Sequence, residues 1–108
     1  RHILMDKVRI KIVEELREKI QEKYPVREIR VFGSSARGEA KKGSDIDVWV
    51  YLGELNRQIE EELYDIAYDM ELKHDCLIDL IAVSKQDLNT NIGITPIQRT
   101  ILSEGVII

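Results

Sequence analysis

The sequence predicts an α/β domain (α+β in its order of elements), in which a small mixed sheet has helices packed on one face. Three observations support this fold class. Apolar residues recur every three to four positions in two long segments, which is the helical period. Three short apolar runs rich in β-branched residues are separated by glycine, proline or polar segments, which is typical of strands. The predicted order is helix, strand, short helix, strand, helix, strand, helix.

Two long amphipathic helices are predicted, with a shorter helix near the end of the chain. The first covers residues 6–24, and Pro25 ends its pattern. Its apolar stripe consists of Val8, Ile12, Val13, Leu16 and Ile20. The second covers residues 57–73. Its apolar stripe consists of Ile59, Leu63, Ile66, Ala67 and Met70. The last helix begins at Pro96, a residue favoured in the first helical turn, and continues to Gly105.

Three strands are predicted, over residues 26–32, 45–51 and 76–83. Side chains on a strand alternate between its two faces. In the first strand this alternation places Ile29 and Val31 on the same face. It places Val26, Arg30 and Phe32 on the opposite face. We therefore expect these two sets of side chains to face opposite sides of the sheet.

Smaller features follow the third strand. Ser84 and Asp87 have the spacing of a helix cap and predict a short helical turn. In the last helix, Ile97 and Ile101 are expected to face inward. The apolar tail 106–108 is expected to pack on the sheet or to contact a partner, because exposing three apolar residues to water is unfavourable.

Length and composition indicate a single cytoplasmic domain. The 108 residues suit one domain over residues 1–108, with residues 1–5 as a tag or disordered. Cys76 is the only cysteine, so no disulfide can form within the chain, and we expect a reducing cytoplasm. No apolar run approaches the length of a membrane span, and no signal-peptide pattern is present. The net charge of −4 argues against direct nucleic-acid binding.

A glycine motif follows the first strand, in the run Val-Phe-Gly-Ser-Ser-Ala-Arg-Gly at residues 31–38. Gly33 allows the backbone to turn sharply and a ligand to approach it closely. Ser34 offers a hydroxyl and a backbone N–H where a short helix begins, and helix N-termini attract phosphate. Arg37 can reach phosphate oxygens with its fork of donors. Together these residues predict a phosphate-binding loop.

Two carboxylates open the second strand, in the run Ser-Asp-Ile-Asp at residues 44–47. The alternation of a strand places Asp45 and Asp47 on the same face. Two like charges this close repel each other unless a cation lies between them. A hard divalent cation with oxygen ligands, Mg²⁺ above all, fits this pair. A phosphate loop and a metal pair are the parts that hold a nucleoside triphosphate with its metals.

Asp79 is the only charged residue in the otherwise apolar third strand. A carboxylate in such a run is costly to bury without compensation. Taken alone, Asp79 is explained equally well as a buried hydrogen-bond acceptor or as a third metal ligand. The presence of Asp45 and Asp47 favours the third metal ligand.

These motifs, taken together, resemble a known signature. Gly-Ser, ten intervening residues and Asp-x-Asp resemble the motif of the DNA polymerase β-like nucleotidyltransferase superfamily. The longer form, Gly-Ser-x-Ala-Arg-Gly followed by Ser-Asp-x-Asp, is similar to that of its minimal nucleotidyltransferase family. The resemblance covers roughly residues 8–108 and implies the polymerase β-like core. Many members of that family pair with a helical HEPN-domain protein as a toxin–antitoxin system.

The resemblance also implies roles for the site residues. Asp45 and Asp47 would hold two Mg²⁺ ions, and Asp79 would complete the site of the metal that activates the attacking hydroxyl. Gly33, Ser34 and Arg37 would bind the triphosphate. The implied reaction moves AMP from ATP to a hydroxyl, namely a tyrosine of a HEPN toxin, so that this chain acts as the antitoxin.

Two other functions stay open at this point. The chain could neutralise a partner by contact alone, or it could modify a small molecule such as an aminoglycoside. Contact neutralisation would survive the loss of Asp45 and Asp47, whereas small-molecule transfer would need no protein partner. The sequence is compatible with either a homo-oligomer or a hetero-oligomer.

Overall fold

The computed structural model describes residues 7–33, 45–89 and 96–108. Its elements in chain order are helix α1 (Lys7–Gln21), strand β1 (Val26–Phe32), strand β2 (Ile46–Leu52), helix α2 (Arg57–His74), strand β3 (Ile78–Ser84), helix α3 (Lys85–Asn89), helix α4 (Pro96–Glu104) and strand β4 (Val106–Ile107). The short helix predicted after β1 lies outside the described residues. No helix in these three ranges is both long enough and apolar enough to cross a membrane.

The strands form one mixed sheet in the order β3-β2-β1-β4. β1 is antiparallel to β2 and to β4, whereas β2 and β3 are parallel. Helix α2 forms the crossover that a parallel pair requires. The predicted mixed sheet is confirmed, and the apolar tail packs on it as the edge strand β4, which the sequence did not identify as a strand.

Helices α1 and α2 cover one face of the sheet, as predicted. The buried residues of α1 begin at Ile12, after its first turn, and α2 contributes a second row of buried apolar residues. The core between these helices and the sheet contains Val13, Leu16, Ile20, Ile29, Val31, Val48, Val50, Leu63 and Met70. Each of these side chains is completely shielded from solvent, so this layer holds the two helices against β1 and β2.

Two expectations about side-chain direction were wrong. Val8 was assigned to the buried stripe of α1 but is 68% exposed, because the first turn of α1 extends past the core. Val26 was placed on the face opposite Ile29 and Val31, yet it packs in the same core as they do. A register shift between Val26 and Glu28 adds a residue to β1, and this bulge reverses the alternation of faces.

A second, smaller apolar cluster lies on the opposite face of the sheet. It is built from Trp49 of β2, Val83 of β3 and Ile101 of α4, all buried. Phe32 packs against these residues from the end of β1. The inward direction predicted for Ile101 is therefore confirmed, whereas the side chain of Ile97 lies outside the described residues.

The ends of α2 have well-defined caps. Asn56 accepts a hydrogen bond from the backbone N–H of Ile59 at 2.8 Å, which satisfies one of the free donors of the first turn. At the other end Asp75 adopts a left-handed conformation with φ of 52°. The N–H of Cys76 then bonds to the carbonyl of Glu71, so β3 begins two residues later than predicted. These caps set the position of α2 relative to β3.

Replacing Asn56 by alanine is expected to lower the free energy of unfolding by about 1 kcal/mol, because the cap to Ile59 is lost. Denaturant unfolding followed by circular dichroism measures the change. Asn56→Asp keeps an acceptor at the same place and serves as the matched control, with stability close to that of the wild type. Equal stability of the alanine and wild-type proteins would show that this cap contributes nothing.

The short helix α3 follows directly from β3. Asp87 Oδ2 accepts from the N–H of Ser84 at 2.9 Å, and Ser84 Oγ accepts from the N–H of Asp87 at 3.1 Å. This reciprocal pair is a capping box, and it confirms the turn predicted from the spacing of the two residues.

Candidate functional site

Three of the predicted site residues, Gly33, Asp47 and Asp79, lie at one end of the sheet. Gly33 comes directly after Phe32, the last residue of β1, and Phe32 pairs with Asp47 near the start of β2. Asp47 in turn pairs with Asp79 near the start of β3. Three segments that are far apart in sequence therefore place a turn and two carboxylates side by side.

Gly33 lies against the carboxylate of Asp47. Its φ of +69° belongs to the left-handed region, which glycine enters without strain. A Cβ atom at this position would collide with Asp47 Oδ2 and lie 3.2 Å from Asp47 Cγ. The structure thus requires glycine here both for the backbone conformation and for the space that the carboxylate occupies.

Asp47 and Asp79 are register partners on neighbouring parallel strands. Such strands run about 4.8 Å apart, and paired residues point to the same face. This face is the one opposite α1 and α2, since the residues flanking Asp47 and Asp79 in sequence face the helices. Asp79 is exposed, which excludes its explanation as a buried hydrogen-bond acceptor. The sequence prediction that the second and third strands bring their carboxylates together is supported by this geometry.

Asp45 lies immediately before β2, two residues ahead of Asp47, and is exposed. All three carboxylates therefore belong to the same end of the sheet. Within the described ranges, no three acidic, histidine or cysteine side chains gather closely enough to form a metal cluster. The donor set nonetheless fits a hard cation such as Mg²⁺, since it offers only carboxylate oxygens and includes an in-register pair. Ser34 and Arg37, predicted to bind phosphate, lie outside the described residues.

Trp49 is a neighbour of the site that the sequence analysis did not single out. It follows Asp47 on the same face of β2 and is completely buried. Arg30 lies 5.8 Å from the centre of the Trp49 ring, and Tyr51 stacks on Trp49 at 5.9 Å between centroids. The indole N–H is buried without a hydrogen-bond partner among the described residues. Because strand side chains repeat every two residues, the series that starts with Asp45 and Asp47 continues with Trp49, and this pattern would have located the side chain.

Tyr64 of α2 also bears on the site, and the sequence explains it either by packing beside the apolar stripe or by a patch that faces a partner. Burial raises the pKa of its hydroxyl, and the negative charges of Glu60 and Asp79 raise it further. Of these three influences on the pKa of Tyr64, that of Asp79 is the smallest. The sequence offered only a weak signal here, because a tyrosine beside a helical apolar stripe is usually explained by packing.

Several known proteins are similar to this chain. Protein adenylyltransferase MntA of Thermococcus cleftensis is 49% identical over 39 residues, which cover 36% of this chain and 39% of that protein. MJ1379 of Methanocaldococcus jannaschii is 37% identical over 62 residues, which cover 57% of this chain and 62% of that protein. The chain thus matches less than two thirds of the length of either relative.

Solved structures show the same fold. The MntA–HepT toxin–antitoxin structure has a TM-score of 0.56 at 20% identity, covering 92% of this chain and 67% of the matched chain. A toxin–antitoxin structure with AMP-PNP has a TM-score of 0.62 at 20% identity, covering 87% of this chain and 70% of the matched chain. The sequence model of the nucleotidyltransferase domain matches residues 13–108. This match spans nearly the whole chain, and the solved structures share the fold of the chain. The chain therefore belongs to the nucleotidyltransferase domain family.

Proposed function

We propose that this chain is a Mg²⁺-dependent protein adenylyltransferase that acts as an antitoxin. Its substrate would be ATP, and its acceptor would be a tyrosine hydroxyl of a HEPN-domain toxin partner. The chain would act as a single domain in the cytoplasm, where Cys76, a free cysteine, stays reduced. The names of the relatives support this choice, since one is a protein adenylyltransferase and another was solved as a toxin–antitoxin pair.

The proposal rests mainly on one observation, which is that three segments lie side by side at one end of the sheet. The in-register pair Asp47–Asp79 offers hard oxygen ligands on one face. Gly33 leaves the space that the Asp47 carboxylate fills, and it brings the start of the glycine motif beside the carboxylates. A nucleoside triphosphate needs this combination, because its phosphates and its metals must be bound together.

The chain's own residues would position the reactants. Asp45 and Asp47 would hold two Mg²⁺ ions, with Asp79 as a further ligand on the acceptor side. Bound there, the metals would neutralise phosphate charge and lower the pKa of the attacking hydroxyl. The backbone at Gly33 and Ser34, together with Arg37, would orient the β- and γ-phosphates. Holding both reactants in line accounts for a large part of the acceleration in such transfers.

In the proposed reaction, the tyrosine oxygen attacks the α-phosphorus of ATP. The new O–Pα bond forms as the bond between Pα and the bridging oxygen to Pβ breaks, and pyrophosphate leaves with that electron pair. The hydroxyl proton passes to a base, for which Asp79 is exposed and suitably placed beside Asp47. The products are an AMP–tyrosine ester and pyrophosphate.

Intact-protein mass spectrometry tests the proposal. The chain is incubated with Mg²⁺ and each of the four nucleoside triphosphates in turn, with and without the protein encoded by the neighbouring gene. We expect an added mass of AMP on the partner with ATP, located on a tyrosine by peptide sequencing and abolished by EDTA. A tight complex without any adduct would favour neutralisation by contact. Transfer to an aminoglycoside without a protein partner would favour a small-molecule enzyme.

A further inference from the structure

Helix α2 carries three large apolar side chains on its solvent side. Tyr64, Tyr68 and Leu72 are 46%, 58% and 67% exposed, respectively. They recur every four residues, so they share one side of the helix and extend about 12 Å along it at 1.5 Å per residue. We call these three residues the aromatic stripe.

The aromatic stripe is separate from the core-facing side of α2. The core of the domain already takes Leu63, Ala67 and Met70 from this helix. Single exposed apolar residues are common on protein surfaces, but a continuous row of two tyrosines and a leucine is typical of an interaction site. Tyrosine is also enriched at protein interfaces, because it buries a large ring and keeps a polar tip.

Acidic side chains border the aromatic stripe. Glu61, Asp65 and Asp69 are exposed on the same helix, and Glu60 accepts a hydrogen bond from the hydroxyl of Tyr64 at 3.5 Å. Arg57 pairs with Glu61 at 3.4 Å, so one of these charges is partly balanced. The remaining negative charge would attract a partner that presents lysine or arginine around an apolar surface.

The aromatic stripe lies on the helix side of the sheet, and the β3 edge separates it from the carboxylates on the other face. Glu71 Oε2 accepts from the N–H of Ile78 at 2.6 Å, which joins the last turns of α2 to the start of β3. β3 lies at an edge of the described sheet and carries Asp79. Leu72 follows Glu71 in the last turn of the helix, so this end of the stripe lies at the same end of the sheet as Asp79. A protein docked on the stripe would reach Asp79 by extending around the β3 edge.

We propose that the aromatic stripe is the docking surface for the protein acceptor, which contacts Tyr64, Tyr68 and Leu72 through an apolar patch with a basic rim. This inference rests on the proposed function, since it concerns how that function selects its acceptor. Docking here would deliver an acceptor hydroxyl to the carboxylate end of the sheet and exclude proteins that lack the complementary patch.

The first experiment compares two sets of alanine variants in binding to the neighbouring gene product by isothermal titration calorimetry. The stripe variant carries Tyr64→Ala, Tyr68→Ala and Leu72→Ala. The control carries Leu102→Ala and Ile107→Ala, which remove exposed apolar side chains (37% and 57%) from α4 and β4, near the opposite edge of the sheet. We expect the stripe variant to bind about 30-fold more weakly or worse, and the control to bind as the wild type does.

Both variants should keep wild-type circular dichroism and wild-type affinity for AMP-PNP with Mg²⁺, because these positions are exposed and none of them is a candidate phosphate or metal ligand. Two charge reversals test the acidic border: Asp65→Lys with Asp69→Lys should weaken binding about tenfold. The matched control, Glu18→Lys on α1 with Glu22→Lys just after it, should leave binding unchanged. Hydrogen exchange should also show protection of residues 57–74 in the complex.

Other results would overturn the inference in distinguishable ways. If the wild type neither binds nor modifies the neighbouring protein, the proposed function fails and the docking surface fails with it. If the wild type and the stripe variant bind and modify it equally, the function stands and the docking surface lies elsewhere. If the chain alone dimerises in sedimentation and the stripe variant abolishes only that dimer, the stripe is occupied by a second copy.

Discussion

Replacing Asp45 and Asp47 together by asparagine is expected to reduce AMP transfer by about 1000-fold or more. Asparagine keeps the shape of each side chain but removes the charges that would hold the metals. Metal stabilisation of phosphoryl-type transfer is worth several kcal/mol, and each 1.36 kcal/mol is a factor of ten in rate. Single-turnover kinetics with labelled ATP measures the loss directly.

A matched control neutralises two exposed carboxylates away from the site, with Glu18→Gln on α1 and Glu22→Gln just after it. We expect full activity from this control and a native circular dichroism spectrum from both variants. Partner binding should survive in the Asp45/Asp47 variant, because neither residue belongs to the aromatic stripe. Neutralisation of the toxin that persists undiminished in this variant would mean that contact, and not transfer, is the biological mechanism.

Gly33→Ala is expected to lower the free energy of unfolding by about 2 kcal/mol and to reduce transfer at least about tenfold. A residue with a Cβ is strained at φ of +69°, by about 1–2 kcal/mol. The added methyl group would also collide with Asp47 Oδ2, so that carboxylate must move. Denaturant unfolding gives the stability change, and the transfer assay gives the change in activity.

Gly53→Ala is the control for this prediction. A Cβ at Gly53 would lie 2.8 Å from Arg27 Nε, at the flexible end of an exposed side chain that can move away. We expect a stability change within about 0.5 kcal/mol and unchanged transfer. If Gly33→Ala behaved like Gly53→Ala, the close approach of Gly33 to Asp47 would have no role in the site.

The parts of the fold that could be predicted are those set by local periodicity. The stripes of α1 and α2 identified their buried sides from Ile12 onward, and the apolar runs located β1, β2 and β3. Val26 could not be placed correctly, because a bulge depends on pairing with another strand and leaves no local pattern. Strand β4 has only two residues, too few for any alternation to be recognised.

In the candidate site, too, residues that are close in sequence were easier to predict than residues that tertiary contacts bring together. Asp45 and Asp47 are close in sequence, so the period of a strand predicts that they share a face. Asp79 could be joined to them by its position in an apolar run and by resemblance, but its pairing with Asp47 depends on how β3 lies beside β2. Trp49 was missed as a neighbour of the site because its position depends on tertiary packing.

The pairing of Asp47 with Asp79 has a consequence for folding. The two residues are joined through the whole of α2, and a parallel pair cannot form until such a crossover is in place. A partly folded chain in which β2 and β3 are still apart therefore has no binding site. Nucleotide would then bind only the native state, and at a hundred times its dissociation constant it would add about 2.7 kcal/mol to stability. Under the proposed function, cellular ATP would in this way protect the chain from unfolding as well as supply its substrate.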